Sequence, residues 1–563
     1  MVVLRLLGLL LDFVFLPLRL LRRRRAVPPG AWLSVTIDGA VTDLVAQPRS
    51  LLSFWQARAQ KAISLHRLAE VVTTMSADER VAGLLVTIRS LGAGMGAATS
   101  LRDILARAKA AGKQVCVHLP MGGDSKEVYV ASVANKVYLA PTAQLAPLGF
   151  RSASFYLKNA LERAGIEPQV FACGEFKSAG ETLVRDHMSP AQRAQLERLM
   201  ESFHGALVDA IAEGRNVDRA RAAAIIDEAP YFGRAAVLAG LADDVAYEDE
   251  VPGKLGSKER PQTQADFVDA FAYLARVKQP LFRALKKPPV IAVIPVHGAI
   301  THASGAFGGV STDERVGRMI RAARKSRRVK GVILHVDSPG GSALASDRMH
   351  HDLVQLAREK PLVCAMANVA ASGGYYVAAP AKVIVAQPLT VTGSIGVVAV
   401  RPSLDPLLER LGIVREKVEK GARAGLLASS GSLTDDERAS IAKELDATYR
   451  SFLGVVAEGR KLDLEAVEKL ARGRVYTGTD AHAAKLVDVL GGFDVAVAEL
   501  RKLLPEPVRD RAEVSLMTTP TKPVPTLDPP VATYLEQVLP ATLRTMLQLH
   551  GERVLALGPV HET

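Results

Sequence analysis

Cysteine is scarce in this chain, with only Cys116, Cys173 and Cys364 among 563 residues. An odd number so widely spaced gives no disulfide framework, and no Cys/His pair stands at zinc-site spacing. Cys116 and Cys364 lie in the apolar runs "KQVCVHLP" and "PLVCAMAN" and read as small buried hydrophobes. Aromatics make up only 5% of the residues, and no basic run carries interleaved rings to stack on bases, which argues against nucleic acid as a partner. There is no HExxH metal motif, and neither Gly-rich turn fits a Walker or dinucleotide pattern. No metal and no cofactor is therefore expected.

The first thirty residues also lack something. A spanning helix needs about 20 predominantly apolar residues, but Arg5, Asp12 and Arg19 interrupt this segment at a spacing of seven and share one helix face. The block Arg22–Arg25 follows, a local part of the net charge of +12. This pattern suits an in-plane amphipathic anchor with residues 1–25 on anionic lipid. A short signal-anchor and a cleaved signal are the alternatives, although no small-residue cleavage site follows the arginines. The positive-inside rule would hold the arginine block on the cytoplasmic side.

With 48% hydrophobic and 23% charged residues the chain is globular, and its length calls for more than one folding unit. An internal repeat supplies them. "VAGLLVTIRSLGAG" from Val81 matches "VKGVILHVDSPGGS" from Val329, with Gly83 opposite Gly331, Ser90 opposite Ser338 and Gly92 opposite Gly340. "ANKVYLAP" (134–141) matches "PAKVIVAQ" (380–387), and "YFGRAAVLAGLADDV" (231–245) matches "YTGTDAHAAKLVDVL" (476–490). Apolar runs alternate with helical patterns in each copy, which predicts parallel strands joined by helices, an α/β class. The expected organisation is a membrane-associated segment at 1–30, a first α/β copy at 31–275 and a second at 285–505. A Pro-containing linker with a helical tail follows at 506–563.

The copies differ where chemistry is plausible. "AASGGYY" (370–376) sets Ser372 among small residues, and at an offset of 246 its counterpart is Lys126 in "GGDSKEVYV". Conversely, Lys177 in "GEFKSAGE" stands opposite Ala424, so serine and lysine are split between the copies. A serine hydroxyl needs a base, and a desolvated lysine can serve as one. Gly373 leaves room for a substrate carbonyl, and its amide is a candidate oxyanion donor. "DSPGG" offers a second donor at Gly340–Gly341, where the first copy has "RSLGAG".

At "HVDSPGGSALAS" (335–346), "AASGGYYVAAPAKVIVAQPLTVTGSIGV" (370–397), "GEFKSAGETLVRDHMSP" (174–190) and "GRVYTGTDAHAAKLVD" (473–488), the chain resembles the signal peptide peptidase A (protease IV) family in its long tandem-domain bacterial form. The resemblance covers roughly residues 31–500. It implies two tandem crotonase-like or Clp-protease-like domains and a membrane-associated serine endopeptidase that degrades cleaved signal peptides and other small apolar peptides. By the same resemblance Ser372 is the nucleophile, Lys177 the general base and Ser394 the residue that orients the lysine. Gly340 and Gly373 supply the oxyanion amides. A tetrameric homo-oligomer, lipid contacts through residues 1–25 and a place at the bacterial inner membrane with periplasmic catalytic domains also follow from it. Asp337 stands where asparagine is frequent, and Lys485 where glycine is common.

Other readings of the same residues stay open. His187, His335, His350 and His351 are alternative bases, and Ser90, Ser125 and Ser338 alternative nucleophiles. A crotonase-type acyl-CoA enzyme would use the same oxyanion turn on a thioester, and a catalytically silent membrane scaffold would use none of it.

Overall fold

Runs such as "VAGLLVTI" and "KGVILHV" carry no polar alternation, so strands made from them need cover on both faces. A computed structural model of the chain describes residues 13–45, 62–256, 265–279, 287–302, 309–426, 431, 433–518 and 555–557. In it both runs are central parallel strands, Val81–Gly92 and Val329–Ser338. Leu84, Val86 and Ile88 in one and Val332, Leu334 and Val336 in the other have no exposed surface.

The described residues form two compact units, Met1–Phe150 with Ser202–Pro288, and Arg151–Glu201 with Pro289–Thr563. In the first, parallel strands run in the order Asp244–Val245, Lys136–Leu139, Gln114–Leu119, Val81–Gly92, Ala31–Thr42, Phe267–Asp269. The second repeats that order with Val489–Leu490, Val383–Ala386, Leu362–Ala371, Val329–Ser338, Val290–His297 and Glu513–Leu516. The repeat is therefore a repeat of sheet topology. Gly83 shows why one matched glycine persists: a Cβ there would lie 2.4 Å from the Gln114 carbonyl oxygen and 2.7 Å from the Trp32 ring. Cys116 and Cys364 are buried in these sheets and burial pushes both thiols up, whereas Cys173 is half-buried.

The units do not follow the copy boundaries expected from sequence. Residues 151–201, expected within the first copy at 31–275, pack with the second unit. The cause is a nonlocal ladder, in which Glu167–Cys173 runs antiparallel to Val397–Ser403 from Glu167↔Ser403 to Cys173↔Val397. The expected boundary at 505 also moves, because Glu513–Leu516 pairs with Val290–Val293 as the edge of the parallel sheet. Of the expected helical tail, residues 519–554 lie outside the described residues, and Leu555–Leu557 is a strand.

The helix between the second unit's first two strands has its own end signals. Thr312 caps Asp313–Lys325 by accepting from the Arg315 amide, with Asp313 and Glu314 in the first turn and Arg324 and Lys325 in the last. Its inward stripe, Val316, Met319, Ile320 and Ala323, joins the core. At the other end of the chain, residues 1–12 lie outside the described residues. The helix Leu16–Arg24 and the residues before it leave Phe13, Val14, Phe15, Leu18, Leu20 and Leu21 exposed. Among the described residues, no helix is long and apolar enough to cross a membrane.

Candidate active site

Strand Leu362–Ala371 ends in a sharp turn into the helix Gly373–Ala378. Ser372 sits at the corner with φ 55° and ψ −114°, a backbone region that side chains other than glycine seldom adopt. Such strain costs on the order of 1–3 kcal/mol and persists only where surroundings impose it. Here the Ser372 amide donates to the Gly393 carbonyl at 2.8 Å and its carbonyl accepts from the Tyr376 amide at 2.8 Å. Gly374 lets the helix come close, since a Cβ on it would lie 2.7 Å from the Ser338 carbonyl oxygen. The first unit has no such corner: the matching helix, Ser125–Ala131, starts from Asp124 in extended conformation with a capping box to Glu127. The helix starts thus place Asp124, not Lys126, opposite Ser372.

Lys177 arrives on the segment after strand Glu167–Cys173. Its Nζ lies 2.6 Å from Ser372 Oγ, 2.9 Å from the Ser394 carbonyl oxygen and 3.1 Å from Ser394 Oγ. Ser372, Lys177 and Ser394 are all buried, with Ser372 showing no exposed surface. Burial alone holds the lysine well below the ordinary value for an amine. A neutral amine has two N–H donors and one lone pair. The two donors match the Ser394 oxygens, which leaves the lone pair for the Ser372 hydroxyl. Ser394 itself has φ 50° and its amide donates to the Arg474 carbonyl at 2.7 Å.

Three residues that sequence reasoning assigned no role fix the lysine segment. Gln195 Nε2 donates to the Phe176 carbonyl at 3.0 Å, while its Oε1 accepts from the Val475 amide at 2.8 Å. The Arg474 guanidinium lies over the Phe176 ring, 4.3 Å from its centroid. Gly473, at φ 82°, packs against Lys177 so closely that a Cβ would lie 2.4 Å from the lysine's backbone nitrogen. Gly473→Ala is expected to displace Lys177 and lower kcat/KM for peptide hydrolysis about a hundredfold, the usual scale for a misplacement near 1 Å. Steady-state kinetics check this, and a loss under threefold would show that the contact does not position the lysine. "GRVYTG" was the signal for this clamp, but sequence has no measure of backbone approach.

The remaining candidates are placed as follows. The Gly340 amide donates to Ser338 Oγ at 3.1 Å, and Ser338 Oγ donates to the Gly298 carbonyl at 2.6 Å. Gly373 is the first residue of its helix, so its amide has no acceptor within that helix. No histidine is among the partners of Ser372 Oγ, which are Lys177 Nζ and, at a marginal 3.5 Å, the Gly396 carbonyl. His187 contacts Asp186, His335 contacts His297 and the Phe493 ring, and His350 packs edge-on to Tyr376. Ser125 donates to the Gly149 carbonyl and Ser90 reaches Asp38. Asp337 accepts from Asn368 Nδ2 and from the Val369 amide, both at 3.1 Å. Lys485 adopts φ 60°, a conformation in which glycine is favoured. Among the described residues, no group of three or more His, Cys, Asp or Glu side chains could hold a metal ion.

Relatives share most of this chain. It is 32% identical over 507 residues to "Serine protease SPPA, chloroplastic" of Arabidopsis thaliana, covering 89% of this chain and 73% of that protein. It is 30% identical over 492 residues to "Protease 4" of Salmonella typhi, covering 84% and 78%. Among solved structures, a point mutant of ClpP1 from Listeria monocytogenes aligns at 14% identity with a TM-score of 0.24, covering 36% of this chain and 92% of that one. The sequence profile of "Peptidase family S49" matches residues 107–259 and 354–505. With that match spanning more than half of the chain, and with relatives of this length and identity, the chain belongs to peptidase family S49 and is a serine protease.

Proposed function

We propose that this serine protease works through a Ser372/Lys177 dyad on small apolar peptides, cleaved signal peptides among them, at a membrane surface. The observation that carries the reading is the 2.6 Å approach of Lys177 Nζ to Ser372 Oγ with both side chains buried. Neutral Lys177 takes the hydroxyl proton as Ser372 Oγ bonds to the scissile carbonyl carbon. The Gly373 amide receives the oxyanion, joined by the Gly340 amide once it leaves Ser338 Oγ. As the C–N bond breaks, the lysine ammonium returns its proton to the leaving amine. It then activates water against the acyl-enzyme, with both Ser394 oxygens holding it in place. A thioester substrate would need none of this lysine positioning, so the clamp at Gln195 and Gly473 favours the protease.

The membrane part of the reading rests on the exposed apolar residues from Phe13 to Leu21 beside Arg19 and Arg23, and on the resemblance described above. A tetrameric homo-oligomer rests on that resemblance alone. The substrate class is tested by comparing two synthetic peptides of equal length, one a Leu/Ala/Val-rich signal-peptide core and one with alternating charges. We expect kcat/KM for the apolar peptide to be greater by about tenfold or more, the size of a few methylene contacts. Equal rates would contradict an apolar-peptide site.

A further inference from the structure

The second sheet of the second unit contains a strand that the catalytic reading does not use. Its order is Ser311–Thr312, Ile300–Thr301, Gly340–Ser342, Leu555–Leu557, Val397–Ser403, Glu167–Cys173. Leu555–Leu557, from the C-terminal end of the chain, lies between two strands that do not pair with each other. It runs antiparallel to Gly340–Ser342 with Gly340↔Leu557, Gly341↔Ala556 and Ser342↔Leu555, and it meets Val397–Ser403 at Val398↔Leu555. It also approaches the helix that Ser372 opens.

This position has a chemical consequence. Gly340 is the turn residue whose amide is the second oxyanion donor in the proposed mechanism, and Leu557 lies across from it. Both glycines of that strand have positive φ, 97° at Gly340 and 152° at Gly341, and a Cβ on Gly341 would meet the Ile300 carbonyl oxygen at 2.1 Å. With no side chains on Gly340 and Gly341, the strand offers mainly its backbone to a neighbour. A partner recognised there is held by main-chain hydrogen bonds, the mode of an added β-strand. Ser372 has no exposed surface while this slot is filled.

We propose that the slot between Gly340–Ser342 and Val397–Ser403 is a binding site for an extended apolar peptide, and that this chain's own segment around Leu555–Leu557 is its resident occupant and competes with substrate. This rests on the proposed peptidase function for its meaning but not for its test. The tail, "VLALGPV" over residues 554–560, has the apolar composition proposed for substrates. Because it is tethered, it acts at high effective concentration, and a free peptide must displace it. The slot opens when the tail leaves.

Ala556→Pro in the full-length chain removes a backbone N–H from a strand paired on both sides and breaks its ladder. In a Ser372→Ala background, which leaves the peptide intact, binding of fluorescein-labelled VLALGPV is measured by anisotropy. Adding Ala556→Pro should tighten Kd by about tenfold or more, and Leu557→Pro should do the same. Equal Kd within twofold in both proline variants, or no saturable binding, overturns the proposal. Hydrogen exchange on the unsubstituted chain gives a variant-free check: residues 340–342 should be protected to the level of the parallel strands, and exchange at the rate of an unstructured peptide overturns it. Neither readout involves hydrolysis. A wild-type protein with no peptidase activity would remove the proposed dyad function and leave these outcomes to decide the tail separately.

Discussion

Ser372→Ala should abolish hydrolysis of an apolar peptide, lowering kcat by at least about a thousandfold with little change in peptide affinity. The oxygen that attacks the carbonyl is absent in this variant, and no other hydroxyl stands within reach of Lys177 apart from Ser394, which holds the amine from the opposite side. The fold should survive, because the hydroxyl's contacts are Lys177 and the distant Gly396 carbonyl, while the strained corner depends on backbone hydrogen bonds to Gly393 and Tyr376. Unchanged turnover would remove Ser372 as nucleophile. A matching loss of thermal stability would show that the serine is structural.

Lys177→Met should lose activity to a similar extent, since a nucleophile without its base fails with it. It should also change how stability depends on pH. In the folded protein burial keeps the amine neutral well below its ordinary value, whereas the unfolded chain binds a proton below about 10.5. Unfolding in that range takes up a proton, so wild-type stability falls as pH falls, by about 1.4 kcal/mol per unit until the folded amine itself titrates. Methionine fills similar volume with no titration. It gives up the Ser372 and Ser394 contacts, a constant offset of roughly 1 kcal/mol per hydrogen bond. Denaturant melts between pH 10 and pH 6 should therefore show wild type losing stability relative to Lys177→Met at each step. Parallel curves would mean that the folded lysine is charged and cannot act as a base.

How much of this was legible beforehand follows physical range. The repeat was readable because strand cores require apolar runs, and Gly83 and Gly331 keep a spacing that the shared topology requires. The separation of Ser372 and Lys177 between copies was readable because a small-residue corner and a lone lysine in an apolar setting are local signals. What brings them together was not readable. The antiparallel ladder of 167–173 with 397–403 joins segments more than two hundred residues apart, and neither strand specifies its partner through its own pattern.

The same limit explains the other differences. Lys126 was matched to Ser372 by counting residues, but insertions in turns shift a count, and only the helix start reveals Asp124 as the equivalent. Gln195 carries no signal of its role, since a glutamine on a helix is ordinarily solvated, and its two bonds exist only once the 472–475 segment lies beside it. The strand Leu555–Leu557 is too short for any periodicity, and a sequence ending in "VLALGPVHET" suits a helix end or a loop equally well.

The central claim, a buried neutral lysine activating Ser372, is tested most directly by following adduct formation with a small serine-reactive phosphonate across pH. Mass spectrometry locates the adduct and stopped aliquots give its rate, independently of any peptide substrate. The account predicts a single adduct on the peptide containing Ser372, forming at a rate that falls about tenfold per pH unit once the lysine protonates on the acid side. An adduct on Ser90, Ser125 or Ser338, or a rate at Ser372 that stays flat from pH 9 to pH 5, would contradict it.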